Sequence, residues 1–167
     1  MLVVVSDTSP LIYLSWIGQF DLLRQIYGTV LVPDAVWNEM TRGGELIGFN
    51  EILAAVEAGW IRIETVTANR RVLELVAEGI GVGESEAIAL AADFRAILII
   101  DDNDGRRVAR RLGVEMTGTL GVLVRAKREN RLLEIRPLLL RLMLGTNFRL
   151  GRRIIDAALA DVGEPPV

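Results

Sequence analysis

The 167-residue sequence predicts an α/β fold of three layers, α/β/α, in which helices cover both faces of a central parallel sheet of four to five strands. Three observations point there. Runs of β-branched and apolar residues recur at 2–6, 29–32 and 96–100, continuous enough for strands buried on both faces. Segments with apolar residues at helical spacing alternate with them, which implies right-handed crossovers between parallel strands. The composition, 51% hydrophobic and 25% charged, suits a compact domain. Residues 1–167 are read as one domain, with 162–167 (Val-Gly-Glu-Pro-Pro-Val) as a frayed tail.

The elements follow in order. The first strand stops at Asp7-Thr8-Ser9-Pro10, where Thr8 or Ser9 can cap a helix and Pro10 fits its first turn. Leu11, Leu14 and Ile17 carry that helix, Gly18 interrupts it, and Leu22, Leu23 and Ile26 carry the next. The strand at 29–32 leads into a helix opened by Pro33-Asp34, bearing Val36, Trp37 and Met40, and ended by Gly43 and Gly44. Residues 50–58 are helical. The alternation of 61–66 predicts an outer strand. Residues 70–78 are helical, and the glycines of 79–83 loosen the chain before an Ala-rich helix at 84–93. After the strand at 96–100, a helix with Val108, Ala109 and Leu112 stops at Gly113, and 114–117 is a short last strand. Thr117 or Thr119 can cap a helix through Lys127, and 132–144 and 151–160 close the chain as helices.

What is missing bounds the chemistry. The chain has no Cys and no His, which removes disulfides, thiolate sites, imidazole bases and the Ser-His-Asp triads. Any metal must be held by oxygen, which selects a hard cation. No apolar run approaches the ~20 residues of a membrane span. The apolar start meets Asp7 at once without a basic flank, so it reads as a strand and not as a signal peptide, and a cytoplasmic location is expected. Residues 1–100 hold 6 Lys+Arg and 13 Asp+Glu, whereas 101–167 hold 13 and 9. A basic second part beside an acidic first part can set cations around an anionic centre, or simply solvate helix faces.

The acids fall where such a sheet places its working site, beyond the carboxyl ends of the strands. Asp7 lies just past the first strand, and Asp101 and Asp102 just past the fourth. Glu39 sits on the helix leaving the second strand, and Glu84 and Glu86 open the Ala-rich helix. Each has an ordinary reading as a cap, a turn acid or a first-turn acid favoured by the helix dipole. Together they meet the needs of an oxygen-lined Mg²⁺ or Mn²⁺ site, because carboxylates held close repel one another until a cation relieves them. At helical spacing Glu84 and Glu86 point about 200° apart, so one of them faces away unless the helix starts between them. Arg106, Arg107, Arg110 and Arg111 follow the fourth-strand acids and are candidate phosphate contacts.

Four segments, in this order, carry a resemblance: Val5-Ser6-Asp7-Thr8-Ser9-Pro10-Leu11-Ile12; Gly83-Glu84-Ser85-Glu86-Ala87-Ile88-Ala89-Leu90-Ala91; Ile100-Asp101-Asp102-Asn103-Asp104-Gly105-Arg106; and Thr117-Gly118-Thr119-Leu120-Gly121. Over nearly its whole length the sequence resembles the PIN-domain family, the fold of many ribonuclease toxins of the VapC type, and is most similar to an incompletely characterised prokaryotic branch. The resemblance implies a metal-dependent endoribonuclease using Mg²⁺ or Mn²⁺, plausibly paired with an antitoxin protein, and a homodimer. The family's four acids fall on Asp7, Glu39, Glu86 (with Glu84 close by) and Asp102, with Ser9 in support and Asp101 as an extra acid. The third acid is Glu where the family has Asp, and Ile100 stands where it commonly has Thr or Ser.

Rival readings remain. A PIN-fold module that binds nucleic acid or protein without cutting would keep the same acids. A haloacid-dehalogenase-type phosphatase expects Asp-x-Asp after the first strand, and here Ser9 takes the second place. A receiver domain needs a later Lys, and Lys127, the chain's one lysine, is badly placed. The apolar residues of 138–144, more than one buried stripe needs, suit either a dimer contact or a central core helix.

Overall fold

A computed structural model describes residues 2–42, 48–67 and 69–167. Five parallel strands form one sheet: β1 (Val4–Ser6), β2 (Val30–Pro33), β3 (Ile61–Glu64), β4 (Ile97–Ile99) and β5 (Met116–Thr117), in the order β3-β2-β1-β4-β5. The helices among the described residues are α1 (Thr8–Trp16), α2 (Leu22–Tyr27), α3 (Asp34–Arg42), α4 (Phe49–Glu57), α5 (Arg70–Ala77), α6 (Val82–Phe94), α7 (Asn103–Arg111), α8 (Thr119–Arg128), α9 (Arg136–Gly145) and α10 (Arg152–Asp161). The expected stop at Gly43 and Gly44 lies outside the described residues.

The strands read as unbroken apolar runs because both faces are covered. Val4, Val30, Val32 and Ile99 point into a core shared with α1, α2, α3, α4, α8, α9 and α10. Their neighbours Val5, Leu31, Leu98 and Ile100 point into a second core under α5, α6 and α7. This is the period of two expected of a strand. Each such side chain, fully buried, contributes roughly 1.5–3 kcal/mol. β3 is an edge strand, as the alternation of 61–66 predicts.

β1 is central. It pairs with β2 through Val5↔Leu31 and with β4 through Ser6↔Ile99. The chain leaves β1 towards β2 on one side and later returns to β4 on the other, so the carboxyl ends of β1 and β4 flank the point where the strand order reverses. The Asp7 amide donates to the Ile99 carbonyl at 3.0 Å, which ties the two strand ends together.

α6 begins two residues earlier than the glycine run suggests, with Gly81 at its cap. It packs on α3, α5 and α7 and on the sheet, so Gly83, Ser85 and Ala87 through Ala91 are all buried. Small side chains allow that close approach on every side. The C-terminal helices bear on two expectations. In α9, Leu139 and Leu142 are core residues and Leu138 and Met143 pack against them, while Leu144 stays 87% exposed. Most of that helix's excess apolar surface is therefore spent within the chain. The tail is tied down instead of frayed: partly buried Glu164 accepts from Lys127 Nζ at 2.7 Å and from the Ile135 and Arg136 amides at 2.8 Å, and the Val167 amide donates to Asp156. These carboxylate bonds, invisible to local propensity, outweigh the disorder favoured by Gly163 and the two prolines. No described helix is long and apolar enough to cross a membrane.

Candidate active site

Asp7 occupies the cap position of α1, yet its carboxylate makes no capping hydrogen bond. It is 3% exposed. Burial is the main force that lifts its pKa from 3.8 to about 7; the Thr8 amide offsets part of this, and the charges of Glu39, Asp101 and Asp102 add to it. Glu84, in the first turn of α6, is likewise raised from 4.5 to about 7, first by burial and then by the charges of Asp7, Asp102, Glu39 and Asp104. Two carboxyls far apart in the sequence thus sense Glu39 and Asp102 in common.

Glu84 also has a geometric address. Its Oε2 lies 3.4 Å from where a Cβ on Gly105 would stand. The Gly105 amide, with that of Asp104, donates to Asp102 Oδ1 at 2.9 Å, so Asp102 is the side-chain cap of α7. Glu84 and Asp102 therefore crowd the same helix start.

Glu39 reaches the site from α3. Its Oε2 accepts from the Thr8 hydroxyl at 2.9 Å and its Oε1 from the Gly83 amide at 3.1 Å. A Cβ on Gly83 would fall 2.5 Å from that Oε1, so only glycine lets α6 come this near the carboxylate. Gly83→Ala is accordingly expected to push the flexible end of Glu39 out of place while changing stability by no more than about 1 kcal/mol, because a carboxylate end can swing aside and Ala favours the helix over Gly. A denaturant melt checks the stability, and a metal titration checks whether Glu39 belongs to the ion site.

Asp101 is turned the other way along the sheet edge. Its Oδ1 accepts from the Thr119 amide at 2.8 Å and its Oδ2 from the Thr119 hydroxyl at 2.6 Å. It thereby supplies the N-terminal capping of α8 that Gly118, at the cap position, cannot. Burial raises its pKa, and Thr119 and the nearby Arg106 offset part of that rise.

Glu86 is not brought to this cluster. One hundred degrees of helix per residue carries it past the site, and its Oε2 accepts from the Ala35 amide at 3.0 Å, at the N-terminus of α3. Its pKa is raised mainly by burial, and its charged neighbours are Asp34 and Glu39, not Asp7 or Asp102. The structure thus sets Glu84, in place of the expected Glu86, beside Asp7 and Asp102. α6 starts at Val82, so the doubled acids do not share a face.

The N-termini of α1, α6 and α7 meet here, and the Gly83, Asp104 and Gly105 amides spend themselves on Glu39 and Asp102. Among the described residues no three acids form a closed ligand set for a metal. These acids could offer an ion at most the one or two carboxylates, completed by water, that Mg²⁺ commonly takes. The donor chemistry fits as well: oxygen alone, with two carboxyls held near neutrality until positive charge arrives.

A cleft of about 250 Å³ opens beside the acids, lined by Ser9, Tyr13, Glu84, Asp101 and Asp102 on one side and by residues 147–150 on the other. Ser9 therefore faces the cleft, while Thr8, not singled out from sequence, makes the hydrogen bond to an acid. Of the basic candidates, Arg106 donates to the Ile100 carbonyl at 2.8 Å, Arg107 pairs with Asp104 and Arg111 with Glu78. Arg110 is exposed and lines a neighbouring cleft. From sequence, Thr119 is read only as a helix cap and Gly83 only within a motif, and Arg149 is not singled out. A Thr-Gly-Thr turn hints at Thr119, but nothing local marks the others.

The comparisons with known proteins agree with the fold. Residues 3–164 match the family model described as DUF3368, a PIN domain. Among solved structures, the fold is similar to a PilT N-terminus domain protein from the hyperthermophilic archaeon Sulfolobus solfataricus P2, with a TM-score of 0.57 and 18% identity over 75% of this chain and 93% of that one. No curated protein matches the chain in sequence. With acids gathered at the β1–β4 switch point and a family match along nearly its whole length, the chain belongs to the PIN-domain family, whose fold is of the nuclease type.

Proposed function

We propose that this protein is a metal-dependent endoribonuclease that hydrolyses RNA phosphodiester bonds at the Asp7–Glu39–Glu84–Asp102 cluster, and that it is the toxin of a toxin–antitoxin pair. The observation that carries the reading is the pair Asp7 and Glu84, whose carboxyls sit near pKa 7 because they are buried among other acids. Isolated carboxyls are costly in such a place, and perturbed acids gathered in a cleft favour a functional site. Asp7, Glu84 and Asp102 would hold Mg²⁺ or Mn²⁺, and Glu39 is positioned by Thr8 and Gly83 to join them. The ion, when bound, supplies a more acidic water and positive charge against the phosphate. The chain's residues hold that centre in place, and Asp7, 3% exposed, keeps its carboxyl away from bulk water.

The decisive assay is cleavage of mixed single-stranded RNAs with Mn²⁺ or Mg²⁺, with EDTA and the Asp7→Asn/Asp102→Asn double variant as controls. Cutting that survives both controls would refute the site. A second expectation concerns protons. Near neutral pH Asp7 and Glu84 are partly protonated, so Mn²⁺ binding should release up to about two protons and tighten as pH rises through 7. Calorimetry in buffers of differing ionisation enthalpy reads the proton count directly, and a count of zero at pH 6.5 would contradict the assignment.

One observation favours a second reading, a PIN-fold module that binds nucleic acid or protein without cutting. Glu39, Asp101 and Asp102 already spend oxygens on backbone amides, and among the described residues no closed ligand set exists. Absence of Mn²⁺ uptake by calorimetry would select it.

A further inference from the structure

The cleft beside the acids has two walls of opposite sign. Glu84, Asp101 and Asp102 line one; Asn147, Arg149 and Leu150, between α9 and α10, line the other. Phe148 anchors this second wall. It is 2% exposed and meets Tyr13 edge-on, ring centres 5.4 Å apart. Arg149 Nη1 donates to the Thr146 and Phe148 carbonyls at 3.0 and 2.9 Å, which fixes the base of the guanidinium. Among the described residues its remaining nitrogens have no partner, and it forms no ion pair with the acids opposite. An arginine held in the same open cleft as carboxylates that have hydrogen-bond partners but no ion pair among the described residues leaves both short of an opposite charge. The acids lack a cation and the arginine lacks an anion. A phosphodiester accompanied by a divalent cation supplies both.

The cleft continues. Asp101, Asn103 and Leu150 also line a second cleft of about 400 Å³, whose far side carries Arg110. Arg110 is exposed and without an ion pair among the described residues, unlike Arg107 and Arg111. Two free guanidinium groups thus bracket a continuous groove that starts at the acids.

We propose that Arg149 is a substrate-positioning residue that grips a phosphate of single-stranded RNA beside the acidic centre, and that the strand runs over Leu150 to Arg110. This rests on the ribonuclease reading above. The test is binding of a short fluorescein-labelled single-stranded RNA of mixed sequence, in Ca²⁺, across a salt series from about 50 to 200 mM. Arg149→Gln keeps a donor for the two carbonyls and removes the charge. It should weaken binding by about 3–10-fold and flatten the log–log salt slope by about 0.7, the loss of one single-strand phosphate contact. Arg149→Lys should keep most of the slope, and Arg110→Gln should lose a similar increment. Arg131→Gln, which removes an equal charge paired with Glu129, should change neither quantity. Mn²⁺ uptake and the melting curve of Arg149→Gln should match wild type, which separates lost phosphate contact from lost structure. Wild-type binding that Arg149→Gln leaves unchanged in affinity and slope overturns the proposal and spares the ribonuclease reading. Failure of the wild type itself to bind RNA overturns both.

Discussion

Asp7→Asn is expected to abolish metal-dependent RNA cleavage and, in the same molecule, to make the metal-free protein more stable at pH 8. The first effect should be about 10²–10³-fold or more, the scale on which one preorganised electrostatic group acts. The second follows from the buried charge. In the fold the Asp7 carboxyl titrates at about 7, against 3.8 in an unfolded chain. Between those values the native state binds more protons than the unfolded state, so stability falls as pH rises through this window, and the loss is complete above 7. One pKa unit is about 1.4 kcal/mol, which caps the contribution of Asp7 at about 4 kcal/mol. An amide also needs partners when buried, so a net gain of roughly 1–3 kcal/mol at pH 8 is expected. The gain should fade towards pH 4, where the wild-type carboxyl is protonated in both states. Mn²⁺ should raise the wild-type melting temperature and leave that of Asp7→Asn nearly unchanged, because only the native site binds the ion. Thermal melts at several pH values, with and without Mn²⁺, decide the matter. A variant less stable than wild type in metal-free buffer at pH 8 would disprove the buried-charge account, and one that still cuts would disprove the site.

The second large effect separates two glutamates only two residues apart. Glu84→Gln should lose cleavage as severely as Asp7→Asn. Glu84 stands over the start of α7 beside Asp102 and senses Asp7. Glu86→Gln should keep cleavage within about threefold of wild type. Its carboxylate serves the Ala35 amide, and a neutral amide oxygen there forgoes only part of the charge–dipole attraction, worth about 0.3–1 kcal/mol. Single-turnover cleavage with a parallel melting curve reads both. The reverse ranking would mean that α6 is rotated relative to this structure, and would return the third acid to Glu86.

The charge pattern needs similar care. The basic excess of residues 101–167 suggests cations gathered round the acids. In the fold most are spoken for: Arg125 and Arg131 pair with Glu129, Arg128 with Asp161 and Lys127 with Glu164. The exposed pairs among these contribute little individually, unlike the shielded Lys127–Glu164 pair, but together they leave few guanidinium groups free for a ligand. Net charge by halves therefore overstates the nucleic-acid face, and identifies it only once pairing is known.

The sequence alone determined the parallel α/β architecture, because two-sided burial writes itself as apolar runs and crossover helices as periodic ones. It also determined where three acids had to be. Asp7, Asp101 and Asp102 follow strand ends directly, and a strand end in such a sheet has one address. It left open every choice that depends on rotation about a helix or on contacts far apart in the chain. Whether Glu84 or Glu86 meets Asp7 turns on α6 starting at Val82, a boundary that the glycine run blurs. That Asp101 serves α8 while Asp102 caps α7 depends on where Thr119 and Gly105 come to rest. That the tail is docked depends on Glu164 finding Lys127 across 37 residues. Local propensity records a residue's own preferences, whereas a carboxylate's role is decided by the amides and charges that the packed chain brings to it.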